Sequence, residues 1–276
     1  MPKEREFDEL VYLRNENRRL RRSLNILTAP LDVLLKRRGF RIFRQNPSED
    51  LLLPAEEFLD EYYRMLHRYS FRLFIRDVIK HQDFFKAGNV TRYATAGVTA
   101  DYLRYILSIG LIAKTGDCYQ LARRPVKSFG ETLEWYVAEI LKREFCFESI
   151  WGVKFKRSGI GGDYDVLGRF DGSVVYVEVK SSPPKQIYAS EISAFLDRVS
   201  DLVPEIAVFF MDTELRMKDK IVPMFEDELA KKYALPPAVT RLEKELFQID
   251  NRVFIINAKD SVISNIEKVL ERYFRR

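Results

Sequence analysis

Leucines recur every seven residues near the start of the chain. Leu10, Asn17 and Leu24 share one heptad position, and Leu13, Leu20 and Leu27 share another. That spacing predicts a coiled-coil helix ended by Pro30. A lone Asn among leucines at the first position is a device that sets two-stranded register. The helix can pack on its own domain or on a second copy of itself. Three heptads are marginal in isolation, so a homodimer through this helix is the expectation. A short helix or strand and a polar break at Asn46–Asp50 follow. Apolar residues at Phe58, Tyr62, Met65, Leu66 and Tyr69 then predict a helical segment over 55–81.

Residues 87–124 carry a denser pattern. A short helix at Val90–Ala94 runs into a turn, and a second helix is expected to start at Thr99 as N-cap, bury Leu103, Ile106 and Leu107, and stop at Gly110. Two short strands around a Lys114–Asp117 turn come next. Helix, turn, helix and hairpin in this order resemble the winged helix-turn-helix family over roughly 56–125. The resemblance implies DNA contact by the outer face of the second helix, at Thr99, Asp101, Arg104, Tyr105 and Ser108, and by Lys114 in the wing. The competing reading is a module for protein contacts alone.

After a linker at Arg123–Gly130 the period changes repeatedly. Ser128 and Glu131 are spaced as a capping box for a helix over 131–145. Strands are expected near 149–157, 164–168 and 174–180, then a helix near 188–202, the strand "EIAVFFM", a helix near 225–234, the strand "RVFIINA" and a last helix from Ser261. This is an α/β order with a mixed sheet. The chain therefore divides into a basic helical arm (1–54), a winged-helix-like domain (55–125) and an α/β domain (126–276).

Charge sharpens that division. Residues 1–47 hold 12 Lys or Arg against 6 Asp or Glu, whereas 131–276 hold 22 against 25. A basic front half suits a polyanion and an acidic back half suits a cation. The start "MPKEREFDEL" has no apolar stretch of a signal peptide, and no apolar run is long enough to span a bilayer. The two cysteines, Cys118 and Cys146, form no CxxC pair, so a reducing, cytoplasmic compartment without membrane partners is expected. No GxxxxGK loop is present, which excludes that class of nucleotide cofactor site. The only histidines, His67 and His81, stand outside any ligand-like cluster and are read as structural.

The candidate chemistry lies in "GGDYDVLGRFDGSVVYVEVKSS", residues 161–182, where acids interrupt apolar strands. Asp171-Gly172 is a favoured two-residue hairpin loop. With that loop Phe170 faces Ser173, Val166 faces Val177, and Asp165 faces Glu178. Carboxylates directly across a ladder repel one another. Alternation puts Glu178 and Lys180 on one face. A hard divalent cation would turn the repulsion into attraction; a solvated strand face with Lys180 as counter-ion is the bland alternative. On the helix over 131–145, Glu134 shares its stripe with Ala138, Leu141 and Phe145 and points inward, where Lys180 or a metal would have to meet it. Glu139 sits with Trp135 and Arg143 on the other side as an ordinary surface pair.

An acid on a helix (Glu134), Asp165 on a hairpin strand, then Glu178-Val179-Lys180 resembles the PD-(D/E)XK nuclease superfamily, which includes Mrr-type restriction endonucleases and archaeal Holliday junction resolvases. The likeness covers about 128–215. It implies a restriction endonuclease-like fold, a mixed β-sheet flanked by helices, and a metal-dependent endodeoxyribonuclease. Asp165, Glu178 and the Val179 carbonyl would hold Mg²⁺ or Mn²⁺, with Glu134 at a second ion or a metal-bound water. Lys180 would orient or deprotonate the attacking water, or stabilise phosphoryl charge. Asp163 is the second-choice ligand, with a turn or capping role ahead of it. The competing class is a non-catalytic DNA-binding protein that uses the fold as a scaffold.

Overall fold

The strand "IAVFFM" sets the centre of the molecule. In the computed structural model, which describes residues 2–123, 125–156 and 162–275, all six of its residues are buried. A run apolar on both faces belongs between parallel neighbours, covered by helices above and below. The elements that build this arrangement are, in order, α1 (Pro2–Leu27), α2 (Leu31–Arg37), β1 (Ile42–Arg44), α3 (Leu59–Leu66), α4 (Tyr69–Lys80), α5 (Ala96–Ser108), β2 (Ile112–Thr115), β3 (Cys118–Leu121), α6 (Gly130–Phe145), β4 (Glu148–Phe155), β5 (Tyr164–Phe170), β6 (Ser173–Lys180), α7 (Ala189–Leu202), β7 (Ile206–Met211), α8 (Ile221–Lys232), β8 (Val239–Glu243), β9 (Leu246–Ile249), β10 (Val253–Asn257) and α9 (Val262–Phe274).

Eight strands form one sheet in the order β1-β4-β5-β6-β7-β10-β9-β8. Only β6–β7 and β7–β10 are parallel; the other neighbours run antiparallel. The fold is thus a mixed α/β arrangement, a large and mostly antiparallel sheet flanked by helices. The β5–β6 hairpin has the expected two-residue loop, with Asp171 at φ 49° and Val166 opposite Val177. The hairpin β8–β9 was not anticipated: "VTRLEKELFQI" is too charged to read as strands.

Side chains of β6 alternate between two cores. Val175, Val177 and Val179 pack with α6 and α9, while Val174 and Tyr176 pack with α2, α7 and α8. The first core continues without interruption into α3, α4 and α5. Trp135, expected on the surface, is buried, and its ring stands 6.4 Å from that of Tyr62 on α3. Helix α6 is therefore covered on two sides. Glu139 does pair with Arg143, Nε to Oε2 at 2.7 Å.

The single helix expected over 55–81 is broken at Arg68, whose backbone is extended (φ −77°, ψ 117°). The break frees the carbonyls of Leu66 and His67, and the buried guanidinium of Arg72 donates to both, at 2.6 and 3.2 Å. The same guanidinium meets Asp212, just past β7, with Nη2–Oδ1 at 2.7 Å. Arg76 pairs with the second oxygen of Asp212. His67 bonds the hydroxyl of Tyr136 at 2.9 Å, the structural role expected of it, and His81 ends α4. The Ser128–Glu131 capping box does not form. Ser128 Oγ accepts from Gly130 N, and Glu131 instead takes the amide of Asp50 at 2.9 Å. Helix α5 starts four residues earlier than expected, with Thr95 as its cap, accepting from Val98 N. The short helix expected at Val90–Ala94 is a single 3₁₀ turn at Ala87–Val90. The antiparallel pair β2–β3 follows α5, with Gly116 at φ 59° in its turn. No described helix is long and apolar enough to cross a membrane.

The second core holds a chain of edge-on rings, Phe195–Phe209 at 5.3 Å and Phe209–Phe225 at 5.2 Å. Replacing Phe209 by Ala is expected to lower the unfolding free energy by about 3–5 kcal/mol in a urea titration. Phe43, exposed on edge strand β1, is the control: Phe43→Ala should change it by less than about 0.5 kcal/mol.

Candidate active site

Helix α6 and strands β5 and β6 bring Glu134, Asp165, Glu178 and Lys180 to one place, beside a bend in β4. Gly152 sits across from Asp165, between the pairs Trp151–Val166 and Val153–Tyr164, and its φ is +55°. A Cβ at this position would come within 2.5 Å of the ring of Pro47 and 3.6 Å of Glu134 Oε2. Glycine is required both for the left-handed turn and for the close approach of the Pro47 ring, whereas the Glu134 carboxylate would lie at ordinary contact distance. Helix α6 aims Glu134 at the sheet, as its apolar stripe predicts. Glu134 makes no hydrogen bond or ion pair among the described residues. Burial, reinforced by Glu131, Asp163 and Glu178 and opposed by Lys180, raises its pKa to about 8.

Asp165 lies where the β5–β6 ladder ends. The last recorded pair is Val166–Val177, and beyond it Asp165 Oδ2 accepts from the amide of Val179 at 2.7 Å. The expected direct pairing of Asp165 with Glu178 is thus replaced by a side-chain-to-backbone bond, because the strands part at the site. Burial and then the charges of Glu178 and Glu134 push the Asp165 carboxyl well above the usual range.

Glu178 is buried and saturated. Its Oε1 stands 2.9 Å from Lys180 Nζ, and its Oε2 accepts from Arg198 Nη1 at 3.1 Å and from the hydroxyl of Tyr176. Lys180 also reaches Glu191 Oε1 at 3.2 Å. Burial draws the Lys180 pKa down, but Glu178, Asp165 and Glu191 draw it up more strongly, so it is raised. Lys180 is therefore an ammonium, suited to stabilising negative charge and unsuited to taking a proton. Strand alternation puts Tyr176 on the face of Glu178 and Lys180, though without an assigned role; Arg198 and Glu191 were not foreseen. Their one signal is that Glu191 and Arg198 are seven residues apart on α7, on the face that also carries Phe195 toward the sheet.

Asp163 stands outside this cluster, paired with Lys154 at 3.2 Å and partly exposed. Among the described residues no three His, Cys, Asp or Glu side chains lie close enough together to hold a metal ion as they stand. The donor chemistry nonetheless suits a hard cation: Glu134 has no partner, Asp165 commits one oxygen to Val179, and the acids repel one another.

The expected DNA-contact residues divide. Asp101, Arg104, Ser108 and Lys114 are exposed, with Asp101 and Arg104 paired to each other and Lys114 lying 5.6 Å from the Tyr119 ring centre. Thr99 is buried, the earlier helix start having turned it inward, so it cannot face DNA here. Tyr105 is half-buried, its ring 6.0 Å from Phe71 and its hydroxyl buried without a hydrogen bond among the described residues. None of these residues joins the acidic cluster.

No protein-family model matches this chain, and no curated protein matches it. Solved structures similar to it include the following two. Protein VC1899 from Vibrio cholerae is 12% identical with a TM-score of 0.50, over 88% of this chain and 61% of that one. Can2 from Sulfobacillus thermosulfidooxidans, determined in complex with cyclic tetra-adenylate, is 14% identical with a TM-score of 0.49, over 89% and 60%. The chain spans about three fifths of the length of each. At such identity the likeness to VC1899 is one of fold.

The raised pKa of Glu134 has a measurable consequence. Its folded value of about 8 exceeds its ordinary value of 4.5, so folding takes up a proton between those limits. Without divalent ions, stability should fall as pH rises from 5 to 8, by about 2 kcal/mol once the full ~1.4 kcal/mol per pH unit is discounted for partial exposure. Glu134→Gln should flatten that slope and raise Tm at pH 8; an unchanged slope in the variant would assign it to other groups.

Proposed function

We propose that the chain is a metal-dependent endodeoxyribonuclease of the PD-(D/E)XK type. The observation that carries this reading is the convergence of Glu134, Asp165, Glu178 and Lys180 from one helix and two strands onto a single patch, in which Glu178 is buried and the others are partly buried. Asp165 and Glu178, with Glu134 and the Val179 carbonyl, would hold Mg²⁺ or Mn²⁺. Such an ion supplies Lewis acidity toward a phosphoryl oxygen and lowers the pKa of bound water. Lys180, held as an ammonium, offsets negative charge that builds on the phosphoryl oxygens. Arg198 and Tyr176 fix the Glu178 carboxylate in one orientation, and Glu191 limits the travel of Lys180. Arg104, Ser108 and Lys114 on the exposed side of α5 and the β2–β3 turn, with the basic arm, would meet the DNA backbone.

One observation favours the alternative, a DNA-binding scaffold without catalysis. Both oxygens of Glu178 are already satisfied by protein donors, a balance that persists without an ion. Plasmid nicking separates the readings. With Mg²⁺ or Mn²⁺, Asp165→Ala and Lys180→Ala should each reduce nicking at least about a hundredfold while gel-shift affinity for the same plasmid stays near wild type. Wild type and both variants equally inert, with DNA still shifted, would establish the scaffold.

DNA docking is tested apart from cleavage. Arg104→Glu with Lys114→Glu should weaken binding similarly for all sequences and lower the slope of log affinity on log salt by about two. An unchanged slope would remove α5 and the β2–β3 turn from the DNA interface.

A further inference from the structure

Among the described residues, helix α1 is a long element whose apolar side chains are left outside. Neither hydrophobic core contains a described residue of it. Leu10, Leu13, Leu20 and Leu24 keep more than half of their surface exposed, and Leu27 keeps 80%. These residues are continuous along one helix of 26 residues. With Leu10, Asn17 and Leu24 at a, and Leu13, Leu20 and Leu27 at d, they form one seam.

We propose that this seam is covered by the α1 helix of a second copy of the chain, in a parallel, in-register, two-stranded coiled coil. The charges beside the seam choose both partner and direction. Glu9 and Glu16 occupy g, while Arg14 and Arg21 occupy e, each five residues after one of those acids. In a parallel in-register pair, g of one helix faces the following e of the other. Glu9 then meets Arg14 of the other copy and Glu16 meets Arg21, twice each by symmetry. An antiparallel pair would set g against g and e against e, acid on acid and arginine on arginine. All four side chains are available: Glu9, Arg14 and Arg21 are exposed, and the half-buried Glu16 has, among the described residues, an exposed contact with Arg19 within its own helix, at 2.7 Å. Asn17 meets Asn17 across the axis only in the same register, where each amide can bond the other. A shifted register would bury it against leucine.

The pairing does not depend on the nuclease reading, and it is tested on the full chain. Sedimentation equilibrium should give the mass of a dimer. Leu13→Glu with Leu20→Glu should give a monomer with the Tm of the body unchanged. Glu9→Arg with Glu16→Arg should weaken the dimer at least about tenfold at low salt, and adding Arg14→Glu and Arg21→Glu should restore it. In a Cys118→Ser, Cys146→Ser background, Leu10→Cys should cross-link to itself under mild oxidation, since in an antiparallel pair matching residue 10 with residue 27 the two would lie about 25 Å apart. A monomeric wild type, a dimer indifferent to the leucine or charge changes, or a Leu10→Cys chain that fails to cross-link overturns the proposal.

Discussion

Carboxylates packed together away from water repel, and the site is organised around containing that repulsion. Glu178 disfavours ionisation of both Glu134 and Asp165, and Glu134 disfavours that of Asp165. The protein answers with an ammonium, a guanidinium, a tyrosine hydroxyl and a backbone amide. Those answers dictate packing well beyond the site. Helix α7 must lie where Arg198 and Glu191 can both reach inward, and its apolar residues Ile192, Phe195 and Val199 hold it there. A network of this kind is stable only when its members are satisfied together, because a single unpaired charge at low dielectric is expensive.

The backbone makes room for the acids by interrupting regular structure at two neighbouring points. In β4 the left-handed Gly152 turns the strand and lets the Pro47 ring pack against it, beside the Glu134 carboxylate. In β5 and β6 the ladder ends early, and the Asp165 side chain takes a backbone amide. Both irregularities sit beside the transition from antiparallel to parallel pairing at β6–β7. Two further register shifts lie at the edges of the sheet, in the pairs β1–β4 and β8–β9, and between those edges the sheet is closed on each face by an apolar core.

The legible parts of the sequence were those governed by local rules. Asp171-Gly172 defined the hairpin, and the 3.6-residue stripe on α6 turned Glu134 inward. What escaped was decided by contacts distant in the chain. Arg198 and Glu191 read as the solvated face of an amphipathic helix until Glu178 and Lys180 lie beneath them. The break between α3 and α4 depends on Arg72 finding Asp212, 140 residues away. Trp135 looked like a surface residue because nothing near it in sequence announces that Tyr62 covers α6. Thr99 was misplaced by a purely local competition: Thr95 and Thr99 both qualify as caps, and the earlier one prevails.

The ion pairs of Arg72 and Arg76 with Asp212 join α4 to the end of β7, and Asp212 in turn donates its amide to the carbonyl of Lys180 at 2.8 Å. Helices α3 to α5 also share a continuous core with α6. The front of the molecule is thus bolted to the acidic cluster instead of swinging on a leash. On the proposed function, any strand held by α5 would be presented at one invariant offset from the carboxylates, and the protein would act as a ruler: its cuts would fall a set distance from its grip, whatever the intervening sequence.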